Sequence, residues 1–167
     1  MNSEELKNLQ APLKEKYKTN PEAAIVTLTA QGKIGDGISC KVETGRAIAE
    51  AGLHAATGGN GMQICSGDML LEALVACAGV TLSAVSTSVG IEITGGIIKA
   101  EGDLDFRGTL GVSKEAPVGF KSIRLNFLLE GNIFTGQLAT LSKLTERYCV
   151  VYQTLINGVN VQTSFSK

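Results

Sequence analysis

The segment from Ser66 to Val85 constrains the fold more than any other part of the chain. Its residues are apolar or small on almost every helical face, so a helix here must be buried all round, in protein or in a bilayer. The run approaches the length that spans a membrane. Asp68 and Glu72 near its start, and Thr81, Ser83, Ser86 and Ser88 in and just beyond its second half, favour a central helix buried in protein. Ser66 is a good N-cap, and Asp68 in the first turn suits the positive end of the helix dipole. Glu72 would need a partner in such a helix, and a subunit contact would supply one.

Shorter elements flank this helix. Leu6, Leu9 and Leu13 recur at helical spacing within Ser3 to Lys18, although Pro12 removes one backbone donor there. Thr19-Asn20-Pro21 ends the stretch, which makes residues 1–20 a helical extension. Three strands are predicted next, over Ala24 to Thr29, Ile38 to Glu43 and Arg46 to Glu50. Glycine-rich turns at Gly32 to Gly37 and Thr44-Gly45 separate them, which suggests an antiparallel meander. The loop Thr57-Gly58-Gly59-Asn60-Gly61 lacks the glycine spacing and following lysine of a phosphate cradle. Beyond the central helix, Ile91 to Phe106 and Lys121 to Glu130 read as strands. Thr135 can cap a helix carrying Leu138, Leu141, Leu144 and Tyr148 on one face. Cys149 falls at the end of that helix or the start of the next, which closes at Asn157-Gly158, and Val159 to Phe165 reads as a last strand. With no linker and no repeat, residues 1–167 form a single α+β domain on this reading.

Charge and cysteine usage narrow the function. A net charge of −1 gives no electrostatic case for nucleic acid. Trp is absent and aromatics make up 5%, so the core is aliphatic and dimerisation would help it bury more surface. The polar, acid-bearing start Met1 to Lys7 lacks a basic, then apolar, signal pattern, which predicts a cytoplasmic protein with reduced thiols. The four cysteines, Cys40, Cys65, Cys77 and Cys149, form no CxxC pair, and the only histidine, His54, has no thiol near it in sequence. A zinc site is not expected, nor any cofactor. His54 reads as a hydrogen-bonding loop residue. Taken without any resemblance, Cys77 on its apolar helix reads as a small hydrophobe of the core.

Two segments together carry a resemblance. Ser66-Gly67-Asp68-Met69-Leu70-Leu71-Glu72-Ala73-Leu74-Val75-Ala76-Cys77 resembles the first signature of the OsmC/Ohr family, in which a small turn and an acidic residue lead an apolar helix to a cysteine. Glu146-Arg147-Tyr148-Cys149-Val150-Val151 is similar to the second, a Tyr-Cys stretch where two later helices join. The order of elements also matches, from about Ala24 to the C-terminus, and the likeness is greatest to the less-characterised OsmC-like branch. The resemblance implies an OsmC-like fold, with antiparallel sheets packed around a long central helix in an intertwined homodimer. It also implies thiol-dependent reduction of organic hydroperoxides, with Cys77 as attacking thiolate, Cys149 as resolving thiol and an external dithiol as reductant. The alternative is a non-enzymatic dimer that binds a small apolar ligand or senses oxidants in the interface pocket.

Such chemistry needs a thiol acidified toward neutrality, usually by a nearby cation. The family's enzymes place a glutamate ten residues before the first cysteine, where it orients an arginine; here that position is Gly67. Asp68, one step later, is the candidate replacement, and Arg46 the candidate cation, with Lys33 the alternative. The Tyr-Cys signature is often followed by proline, where this chain has Val150. The expected catalytic set is therefore Cys77, Cys149, Arg46 and Asp68. Cys40 reads as core, and Cys65 as either inert or a competing partner for one of the two thiols.

Overall fold

The long apolar run folds as a single helix, α1 (Ser66–Val89), in the computed structural model of the chain. The structure describes residues 2–6, 8, 10–11, 19, 31–34, 39–44, 47–111 and 113–167, with backbone alone for 31–34, 39–44 and 47. Helix α1 buries one stripe, Leu74, Ala78, Leu82, Val85 and Ser86, at the spacing of successive turns. Full burial, the expectation from sequence, is not what one chain provides: Val80 in the middle of α1 is 73% exposed. Glu72 is also exposed and needs no partner within the chain. By length and a mean hydropathy of 1.8, α1 would suffice to cross a membrane.

The chain divides into two compact units, one of residues 1–6, 73–98 and 127–167, the other of residues 7–72 and 99–126. In the second unit, strands β1 (Gln31–Ile34), β2 (Ser39–Thr44), β3 (Ala47–Gly52) and β4 (Ile64–Cys65) form a four-stranded sheet in that order. The first three strands are antiparallel, with Gly32 opposite Val42 and Val42 opposite Ala49. The expected meander is thus present but displaced. Its predicted first strand, Ala24 to Thr29, lies outside the described residues, and Gly32 to Ile34, read as turn, are in β1. Glycine costs a strand only about 0.5–1 kcal/mol, which ladder pairing can offset. Strand β4 was not foreseen, and it runs parallel to β3 through Ala51–Ile64 and Gly52–Cys65.

Strands β5 (Gly95–Leu104) and β6 (Phe120–Glu130) form a second, two-stranded sheet. Strand β5 covers less than the predicted Ile91 to Phe106 and stops at Leu104. Asp105 instead caps the one-turn helix α2 (Phe106–Thr109), accepting the Arg107 N–H at 3.2 Å. The Arg107 guanidinium beside it holds the Asp105 carboxyl down to about 2. On β5, Gly102 is required by packing, because a Cβ there would lie 2.4 Å from the Phe120 ring. Gly102→Ala is expected to destabilise the protein by about 1–3 kcal/mol, read by urea unfolding. Retention of full stability would show that the ring moves freely.

In the first unit, α3 (Thr135–Tyr148) is followed directly by α4 (Val150–Asn157). The N-cap of α3 is Phe134 rather than Thr135, because the Gln137 side chain reaches back to accept the Phe134 N–H at 2.9 Å. Leu82 and Val85 of α1 form a core cluster with Ile91 and Leu141, against which Ile98, Leu129 and Leu144 pack. Helix α4 ends as expected at Gly158, whose φ of +65° suits glycine. The strand predicted over Val159 to Phe165 is not formed. Those residues have no secondary structure and no partner strand among the described residues, and Phe165 is 99% exposed. Alternating β-branched residues make a strand only where a neighbour accepts the ladder.

Candidate functional site

Cys77 and Cys149 both belong to the first unit, and their side chains meet there. The reason lies in the break between α3 and α4. Cys149 is at once the C-cap of α3 and the N-cap of α4, with φ −73° and ψ 109°. That extended ψ interrupts the helix without a proline. It also leaves the first amides of α4 without intrahelical acceptors, and the Cys149 side chain makes no capping bond.

The sulfur of Cys77 occupies this position. The backbone N–H groups of Val151 and Val150, the Cys149 thiol and the Thr81 hydroxyl lie near enough to it to favour its thiolate. Thr81 stands one helical turn after Cys77 on α1, where residues four apart are neighbours. Burial opposes ionisation of Cys77, and these four neutral donors outweigh it, holding the thiol below its ordinary value. Cys149 goes the other way. It is 1% exposed, burial pushes its thiol up, and the charge of an ionised Cys77 adds to that, against the Tyr152 N–H. Two thiols in contact thus have opposite tendencies, the half-buried Cys77 toward thiolate and the enclosed Cys149 toward thiol.

The sign of the pH dependence follows. Alkylation of Cys77 is expected to rise with pH through a midpoint below the ordinary thiol value of about 8.5, and that of Cys149 through a midpoint above it. Iodoacetamide labelling with peptide mapping at a series of pH values checks both, and a common midpoint would contradict the geometry. Val150 offers a sharper probe. Proline is tolerated at the first position of a helix, and the extended Cys149 suits the residue before it. Val150→Pro should keep α4 while removing one donor, so Cys77 labelling at pH 7 is expected to slow severalfold.

The other predicted residues fall as follows. Asp68 is exposed in the first turn of α1. It lies nine positions before Cys77 on the helix, about 13 Å along the axis. Arg46 lies outside the described residues, and the side chain of Lys33 is not described. Gly67 replaces the expected acid without steric necessity, since a Cβ there would be 3.4 Å or more from its neighbours. Cys65 is a half-buried free thiol. His54 is the loop hydrogen-bonder expected of it, its Nδ1 accepting the Ala56 N–H at 3.0 Å. The Val150 and Val151 amides were missed altogether. The available signal was the absence of proline at position 150, which leaves an N–H there, and the spacing of Thr81 from Cys77.

The family model for OsmC-like proteins matches residues 58–164, a span that includes both cysteines. The chain belongs to the OsmC-like family. Among solved structures, the OsmC-like fold recurs in an OsmC-like protein from Mycoplasma pneumoniae, with 13% identity and a TM-score of 0.66 over 80% of this chain and 89% of that one. An organic hydroperoxide resistance protein OsmC from Legionella pneumophila matches with 18% identity and a TM-score of 0.63, over 81% and 92% of the two chains. The organic hydroperoxide resistance protein OhrB of Bacillus subtilis matches with 17% identity and a TM-score of 0.55, over 83% and 97%. At such identities the likeness establishes the OsmC-like α+β fold. No curated protein matches the sequence.

Proposed function

We propose that this OsmC-like protein reduces organic hydroperoxides by a thiol mechanism in which Cys77 attacks and Cys149 resolves. The observation that carries the reading is the proximity of the two thiols at the start of α4, with Cys77 held below the ordinary thiol value and Cys149 above it. The relatives named for organic hydroperoxide resistance supply the substrate class.

In the proposed cycle, the Cys77 thiolate attacks the outer peroxide oxygen. The O–O bond breaks and the alkoxide leaves with the electron pair, to be protonated to the alcohol, while Cys77 becomes a sulfenic acid. The Cys149 sulfur then attacks the Cys77 sulfur. An S–S bond forms, the S–O bond breaks, and water leaves with the Cys149 proton. An external dithiol restores both thiols by exchange and is itself oxidised to a disulfide. Burial of Cys149 keeps it from meeting peroxide first. The proposed role of Arg46 as cation, with Asp68 orienting it, rests on the resemblance alone. Arg46→Ala and Asp68→Asn should lower kcat/KM in steady-state peroxide assays if they act so.

The working form is proposed to be a cytoplasmic homodimer. Unit one leaves much apolar surface uncovered, including Val80 on α1, Val150 and Ile156 on α4, and Val161 and Phe165 beyond it. A second copy would cover such surface. Light scattering coupled to gel filtration tests this: a mass of twice 17.4 kDa is expected, and a stable monomer would contradict it.

A further inference from the structure

We infer that Thr145 is a further catalytic residue, whose buried, unpartnered hydroxyl turns onto the Cys149 sulfur and donates a hydrogen bond as that sulfur attacks Cys77. The role rests on the proposed thiol cycle and supplies the group that assists its second step.

Thr145 is 3% exposed, and its Oγ1 is buried with no hydrogen-bond partner among the described residues. A buried hydroxyl left so is costly, and a helix offers a ready alternative, donation to the carbonyl one turn back. The chain uses that alternative elsewhere. Thr140 donates to the Gly136 carbonyl at 3.0 Å in the same helix. On α1, Ser83 donates to the Gly79 carbonyl at 3.0 Å and Thr87 to the Ser83 carbonyl at 2.8 Å. Thr145 does not make the corresponding bond to Leu141. Valine has nearly the same shape and no polar atom to satisfy, so packing alone does not account for the hydroxyl.

The surroundings of Thr145 point to its partner. Leu141 and Cys149 lie one turn to either side on the same face, each 1% exposed. Toward Leu141 the neighbours are aliphatic, Leu82, Val85 and Ile91. Toward Cys149 there is a sulfur. The Cys149 N–H still donates to the Thr145 carbonyl at 2.9 Å, so the helical ladder reaches Cys149 and its Cβ leans back toward Thr145. Residues so related have Cβ atoms roughly 5–6 Å apart, within reach of a hydroxyl and a sulfur turned toward each other. Threonine has two χ1 positions open to it in a helix, and one rotation suffices.

The bond is of use at one stage only. While Cys77 is a thiolate, burial and that charge push the Cys149 thiol up, and Cys149 stays protonated. Once Cys77 is a sulfenic acid the charge is gone, and negative charge gathers on Cys149 as its proton leaves with the departing water. The Thr145 O–H then has an anion to donate to and keeps its own proton. In the disulfide the Cys149 sulfur is neutral and the hydroxyl is released.

One equivalent of methyl methanethiosulfonate, added to the reduced full-length protein, isolates this step without peroxide. The Cys77 thiolate takes the methylthio group and methanesulfinate leaves. The Cys149 sulfur then attacks Cys77, an S–S bond forms, and methanethiol leaves with the Cys149 proton. Acid quenching at intervals and mass mapping give both rates. Thr145→Val is expected to leave the first rate unchanged and to slow the second about tenfold, the effect of losing a hydrogen bond to a charged sulfur. Its second rate is also expected to reach half-maximum at higher pH, with a urea midpoint no lower than the parent's, and Thr145→Ser to restore rate and profile. A second rate in Thr145→Val within about twofold of the parent, or one that Thr145→Ser fails to restore, would overturn the role. Should Thr145→Val fail to fold, Thr145→Ala removes the same hydroxyl and is judged by the same limits. A parent protein that closes this disulfide yet consumes no hydroperoxide would overturn the peroxide reading alone.

Discussion

Cys77→Ser is expected to bring consumption of cumene hydroperoxide, with dihydrolipoamide as reductant, down to the rate without protein. Serine cannot be oxidised to the sulfenic acid, and its hydroxyl is not ionised by hydrogen bonds that suffice for a thiol. Cys149→Ser should behave differently. With Cys77 and the α4 amides intact, it is expected to consume one peroxide per chain without reductant, then stop at the sulfenic acid, detectable by dimedone capture. Equal loss in both variants at the first turnover would mean that Cys149 is needed for attack, and the division of roles would be wrong. Full activity in Cys77→Ser would remove the nucleophile assignment outright.

Leu141→Ala is expected to cost about 2–5 kcal/mol of stability, the range for emptying a fully buried leucine site. Leu141 is 1% exposed and sits in the cluster of Leu82, Val85 and Ile91 that joins α1 to α3. Thr145 and Cys149 follow it at successive turns of the same face, both buried, so the packing that holds Leu141 also orients the helix break at Cys149. Urea unfolding followed by circular dichroism measures the cost. Leu141→Met, which nearly conserves volume, should lose less than about 1.5 kcal/mol. If alanine were tolerated as well as methionine, the α1–α3 contact would not be the core of this unit. A loss of peroxide activity in Leu141→Ala at temperatures where it remains folded would tie this packing to the thiol pair.

What the sequence revealed was what local signals encode. The extent of α1 follows from its unbroken run of helix-compatible residues, and the end of α4 from Asn157-Gly158. The join at Cys149 was expected from the order of the elements, although the backbone turns there without the proline that often marks it. Features that depend on distant partners were not legible. Strand β4 exists because β3 accepts it in parallel, and the tail after Gly158 has no partner strand among the described residues. At the site, the sequence located both thiols but directed the search for activation to charged side chains. The groups beside Cys77 are two backbone amides, a thiol and a hydroxyl, and amides leave no mark in a sequence beyond the absence of proline. Gly67 likewise read as a missing acid, whereas in the structure it lines a cavity.

The most direct test of the account is mass mapping after one equivalent of cumene hydroperoxide is added to the reduced protein without reductant. A disulfide between Cys77 and Cys149, with Cys65 still alkylatable, is the predicted result. Recovery of both as free thiols, or a disulfide that joins Cys65 to either one, would contradict it.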